Sequence, residues 1–149
     1  MKDIMLKITG KTVTEQVDKE EQEDVVQFIT EGKLVNRGDS MLISYPETEL
    51  SGMAGYITYL TIKDDSIKLK RAHKGEHPQT EMEFQPGCRY QGKYETPYGS
   101  IAMELLTNKI SPFTKNEDGS SKLTIDYSVS LRGLMESRNE LEIEILREI

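Results

Sequence analysis

Arg71 is the residue whose position in the sequence most invites a chemical role. It closes the run Ser66–Arg71, in which Ile67, Leu69 and Arg71 fall on one face of an extended strand and Lys68, Lys70 and Ala72 on the other. The alternation therefore predicts a guanidinium on an apolar face. An unpaired buried charge is strongly unfavourable, so Arg71 requires an acidic, carbonyl or hydroxyl partner. Glu47 and Glu49 lie just before the hairpin that carries it, and Tyr45 and Tyr94 offer hydroxyls. Thr107, in phase with Ile101, Met103 and Leu105, adds another hydroxyl to the inward set. Two readings stand. A planar guanidinium fork suits a ligand carboxylate or phosphate, which makes Arg71, Tyr45, Glu47, Tyr94 and Thr107 the expected ligand-binding set. Alternatively, Arg71 ends its strand in a structural ion pair.

The remaining reactive side chains read as structural. His73 and His77 are four apart, which on a helix would make a metal pair, but Gly75 lies between them and Pro78 follows, so the segment is a loop. Cys88, the sole cysteine, forms no intrachain disulfide and reads as a buried structural thiol. The acidic run 15–24 has neither a glycine nor the carboxylate spacing of a metal loop and reads as a solvated loop tip. The tripeptide Arg37-Gly38-Asp39 sits in a turn that begins at Asn36. No nucleophile elbow, phosphate loop or dinucleotide fingerprint occurs, and Gly52-Met53-Ala54-Gly55 lacks the context of a phosphate cradle. The carboxylates of the strands alternate outward, so they form no general acid–base pair. The expectation leans to a non-catalytic protein without metal or cofactor, with an enzyme of undetected class as a third reading.

Strands must position these residues. Lys2–Thr14, Asp24–Val35, Ser40–Tyr45, Gly55–Lys63, Ser66–Arg71, Gln79–Gln85, Cys88–Glu95, Ser100–Ile110, Lys122–Leu131 and Glu140–Glu148 all alternate apolar with polar residues. Turn residues separate them: Asp64-Asp65, Pro86-Gly87, Thr96-Pro97-Tyr98-Gly99 and Asn116-Glu117-Asp118-Gly119. The segment 133–139 holds at most one turn of helix. About ten strands at meander spacing, with no helix for a βαβ crossover, predict one antiparallel sheet. One apolar face per strand must curl inward, and closure removes the aggregation-prone edges. The expected fold is all-β, a single up-and-down antiparallel barrel of about 8–10 strands spanning residues 1–149 as one domain. Arg71 then lies inside the barrel or at its mouth. Gly10, Gly32 and Gly92 fall on inward positions, where glycine marks either a corner or space for a ligand.

The net charge of −7 argues against binding a phosphate backbone, so no nucleic-acid partner is expected. The opening residues alternate instead of forming an apolar signal, and no apolar run approaches the roughly 20 residues of a membrane span. The expected location is cytoplasmic, with no membrane partner.

Six fragments, taken together, resemble the YwiB-like family of small bacterial β-barrel proteins of unknown function. They are Gln27–Gly32 (QFITEG), Ser44–Glu47 (SYPE), Ile67–Arg71 (IKLKR), Met82–Phe84 (MEF), Tyr94–Gly99 (YETPYG) and Thr107–Ile110 (TNKI). The resemblance implies a lipocalin-like, calycin-type barrel and a cytoplasmic setting, and it brings no catalytic residues. The leading expectation is a barrel that binds a small anionic or amphipathic ligand at its mouth near Arg71. The alternative is an interaction or scaffold protein, its barrel filled, with a protein-partner surface outside or a homodimer formed through an exposed strand.

Overall fold

The structure is a computed structural model that describes the backbone of residues 1–16, 20–51, 54–73, 80–96, 99–131 and 135–149, with side chains for all of these except 16, 51 and 94–96. Ten strands follow one another: β1 (Lys2–Gln16), β2 (Gln22–Arg37), β3 (Ser40–Pro46), β4 (Tyr56–Lys63), β5 (Ser66–His73), β6 (Thr80–Phe84), β7 (Arg89–Thr96), β8 (Gly99–Lys115), β9 (Ser121–Leu131) and β10 (Met135–Glu148). A 3₁₀ turn, Glu49–Ser51, lies in the β3–β4 connection. The predicted helical turn in 133–139 is absent from the described part of that segment, because Met135 already belongs to β10. The ladder partners of Met135, Ser137 and Asn139 on β9 keep that stretch extended.

All strand pairs are antiparallel, and the sheet runs β6-β5-β4-β3-β2-β1-β10-β9-β8-β7. Every chain neighbour is a ladder neighbour except β6 and β7; β1 and β10 zip together instead, from Ile4↔Glu148 to Gln16↔Met135. The result is a nearly closed up-and-down barrel whose seam falls in the middle of the chain. At one end of the seam Pro86-Gly87 turns the chain, with Gly87 at φ 75° and the Cys88 N–H donating to the Gln85 carbonyl at 2.9 Å. Gly87 N–H donates to the Thr107 carbonyl at 2.9 Å, and Thr107 N–H to the Cys88 carbonyl at 3.2 Å, which pins this turn to β8.

Alternation produces the core. The inward sets include Ile4, Leu6 and Ile8 on β1, Leu123 and Ile125 on β9, and Leu141 and Ile143 on β10. Among the described residues, nine of the ten strands contribute a buried apolar side chain. The exception, β7, packs a half-buried Tyr90 against the core. Each buried Leu, Ile or Phe contributes about 1.5–3 kcal/mol. The outward face carries charge ladders such as Lys68–Glu83 and Lys70–Glu81, at 3.8 and 4.0 Å with side chains more than half exposed, each worth at most about 1 kcal/mol. In β8 the register shifts twice, once between Ser111 and Thr114. Pro112 sits there, at a bulge where its missing N–H breaks no ladder bond.

The inward glycines separate into three cases. A Cβ on Gly32 would lie 2.5 Å from Leu6 Cδ1 and 2.7 Å from the Ser44 carbonyl oxygen, so Gly32 permits a close backbone approach of β3. At Gly92 the ring of Tyr90 covers the site, with Cε1 3.0 Å from where a Cβ would stand. Gly10 has open space around it.

Candidate binding site at the barrel mouth

Register places a polar rung across the apolar interior. Tyr45 on β3 is the direct partner of Thr58 on β4, and Thr58 is the direct partner of Arg71 on β5. These residues face inward because each lies in phase with an apolar set: Ile43 with Tyr45, Thr58 with Leu60, Leu69 with Arg71. Glu47 continues the inward phase of β3 beyond Pro46. Its N–H donates to the Tyr56 carbonyl at 2.8 Å, which carries the β3–β4 pairing one step further and fixes the carboxylate over Thr58.

The side chains form a linked network. The Thr58 hydroxyl donates to Glu47 Oε1 at 2.6 Å and accepts from Arg71 Nε at 3.1 Å. Arg71 Nε also lies 3.4 Å from Glu47 Oε1. Tyr45 and Thr58 are buried, and Glu47 is 3% exposed at its side chain, whereas Arg71 retains 19%. The guanidinium is held from within while its side chain still reaches solvent. Burial pushes the Tyr45 phenol above its ordinary value; the Glu47 carboxylate adds to the rise, and the Arg71 charge and the Thr58 hydrogen bond oppose it. Burial likewise raises Tyr127, again against Arg71. The Tyr45 ring stands 6.3 Å from Phe28, and Tyr127 meets Phe84 edge-on at 4.9 Å, so aromatic packing surrounds the network.

Of the five expected residues, Arg71, Tyr45 and Glu47 come together. Thr107 is buried on β8, but its hydroxyl accepts the Gln85 N–H at 3.2 Å and so serves the β6–β7 turn. The Tyr94 side chain lies outside the described residues, its backbone pairing with Ile101. Glu47, not Glu49, meets the guanidinium; Glu49 enters the exposed 3₁₀ turn. Thr58 and Tyr127 were missed as members of the site. The signal for Thr58 was its place beside Leu60 on the inward phase of β4, a hydroxyl where an aliphatic residue is expected.

His73 is exposed, with its ring 5.2 Å from that of Tyr56 and edge-on to it, on the same strand end as Arg71; His77 lies outside the described residues. Cys88 is exposed, contrary to the expected buried thiol. It belongs to the turn rather than to β7, so the inward phase of the strand begins at Tyr90. The Arg37-Gly38-Asp39 stretch is a turn as expected, with Arg37 paired to Ser40 and Gly38 at φ 61°. In the acidic run Glu15 and residues 20–24 are exposed as expected, but Glu15, Gln16 and Gln22–Asp24 are strand and not loop, because the β1–β2 ladder extends to Thr14↔Gln22.

Residues 11–143 match the family described as a domain of unknown function, DUF1934. The chain belongs to this family. The fold is also that of a solved structure, the ywiB protein from Bacillus subtilis, with a TM-score of 0.69 at 16% identity, covering 95% of this chain and 90% of that one. That likeness supports the nearly closed antiparallel barrel. No curated protein matches the chain. Among the described residues, no helix is long and apolar enough to cross a membrane.

Proposed function

We propose that this DUF1934 barrel is a non-catalytic binding protein that takes a small anionic or amphipathic ligand at the mouth near Arg71. The observation that carries this reading is the one-sided hold on the guanidinium. Glu47 and Thr58 engage its Nε from inside, which orients the planar fork, while the side chain remains in contact with solvent. A buried ion pair seldom improves on a well-packed apolar pair of the same size. Its presence in an otherwise apolar interior therefore favours a role in recognition over one in stability. The carboxylate of an incoming ligand would meet the terminal guanidinium nitrogens, with the rings of Tyr45 and Tyr127 as apolar walls. The Thr58 proton is directed at Glu47, so the network is arranged to hold charge rather than to move a proton to a substrate.

Native mass spectrometry of the protein purified from its own cells tests this. A retained adduct that is lost in Arg71→Met, with the circular dichroism of the fold unchanged, supports the site. Unchanged adduct occupancy in that variant rejects it.

A second reading, an interaction protein with a filled barrel, is favoured by the continuous apolar core and by two concavities of about 460 and 540 Å³ lined by residues other than Arg71, Tyr45 and Glu47. Size-exclusion chromatography with light scattering, together with pull-down using the intact protein, separates the two.

A further inference from the structure

A groove lined by apolar and charged side chains lies on the outward face, where β1, β10, β9, β8 and β7 run side by side. It encloses about 460 Å³, within the range of ordinary small-molecule sites. Two adjacent cross-strand rows build it. The first runs Val13↔Arg138↔Ser128↔Leu106↔Arg89 and supplies an apolar floor from Val13 and Leu106. The second runs Glu15↔Glu136↔Ser130↔Glu104.

The charges in this groove are unbalanced in a particular way. Both guanidinium groups are already engaged: Arg138 Nη2 and Nε contact Asp126 at 2.9 and 3.3 Å, and Arg89 Nη1 pairs with Glu104. Glu15 and Glu136 are direct cross-strand partners, a like-charge pairing that destabilises a sheet. Glu21 lines the same end. Among the described residues, none of these three carboxylates takes part in an ion pair, and they do not converge as metal ligands.

We propose that this groove docks an extended segment of a partner protein bearing lysine or arginine residues. Complementarity selects the occupant: the carboxylates at one edge, without an ion pair among the described residues, attract cationic side chains, and Val13 and Leu106 receive apolar ones. The shape agrees. Five strands at about 4.8 Å spacing give a path of roughly 19 Å, the length of five or six extended residues. An extended chain alternates its side chains, so a basic–apolar alternation meets both rows. The inference is independent of the Arg71 site.

The test uses the intact protein and a fluorescein-labelled heptapeptide of alternating lysine and valine, followed by fluorescence anisotropy at low salt. Saturable binding is expected, weakened about tenfold by Glu15→Gln together with Glu136→Gln, and changed less than about twofold by Glu31→Gln together with Glu117→Gln, the same charge change elsewhere. Amide shifts on titration should centre on Ser128, Ser130 and Glu136. Equal loss in both double variants would reveal attraction to the net charge alone and overturn the proposal, as would the absence of saturable binding. Self-association detected by light scattering and abolished by Glu136→Lys would overturn it in favour of a second copy of this chain.

Discussion

Arg71 and Glu47 meet inside the barrel, Nε to Oε1 at 3.4 Å, with Thr58 bridging them through its hydroxyl. The pair joins residues 24 positions apart through two intervening ladders, and among the described residues each is the other's ion-pair partner. Removing one partner strands the other, and this asymmetry sets the first prediction. Glu47→Ala should cost about 3 kcal/mol in urea unfolding, since a buried charge loses its counterion. Arg71→Met should cost a similar amount. The double variant Glu47→Leu with Arg71→Met should lose less than the sum by about 1–2 kcal/mol, because it removes both charges at once. Additive losses would show that the two residues act separately.

The raised phenols of Tyr45 and Tyr127 predict alkaline instability. Both stay protonated in the folded state beyond the ordinary tyrosine value of 10.0. The unfolded chain releases these protons first, so the stabilising contribution is complete below about pH 10 and is lost as pH rises above it, at about 1.4 kcal/mol per pH unit for each group. Urea midpoints measured between pH 8 and 11.5 should fall in the upper part of that range. Tyr127→Phe should flatten the fall relative to the parent protein; an unchanged slope would mean that this phenol titrates normally.

The glycines predict opposite outcomes for the same substitution. Gly32→Ala forces a methyl against Leu6 and the Ser44 carbonyl and should cost about 2–3 kcal/mol. Gly10→Ala meets open space and restricts the unfolded chain, so it should be neutral or stabilising by about 0.5 kcal/mol. Thermal melts of the two variants, compared with the parent, decide the matter.

Cys88 is exposed in the β6–β7 turn. Ellman's reagent should therefore release one equivalent of thionitrobenzoate from the native protein, without denaturant. Reaction only after unfolding would place the thiol inside. Because the turn is pinned to Thr107, Thr107→Val should loosen the seam and speed the reaction by removing the hydroxyl that accepts the Gln85 N–H.

Much of the fold was legible because alternation is a local property. Lys122–Leu131 reads as a strand from its own residues, and the structure gives Ser121–Leu131. Errors arose where a tertiary contact extended or displaced an element. β10 starts at Met135 because β9 and β1 supply ladder partners on both sides, which no residue in 133–139 announces. Cys88 appeared to begin an inward phase, but hydrogen bonds to Gln85 and Thr107 hold it in the turn instead.

The site divides in the same way. Period-two spacing alone put Arg71 on the apolar face, and the cost of burying a charge required a partner near it. Which carboxylate answers was decided by register. Glu47 and Glu49 both stand on odd positions before the hairpin, and only the extra backbone bond from Glu47 to Tyr56 keeps Glu47 in phase while the chain turns away at Glu49. Thr58 joins through the register of three consecutive strands, and Tyr127, on β9, comes under the Arg71 charge without any ladder pairing to the network. The order of residues thus determined strands, faces and the need for a counterion. The closing of β1 against β10, the seam at β6 and β7, and the rung Tyr45–Thr58–Arg71 arose only in three dimensions, because register depends on which strands meet and not on any one strand's pattern.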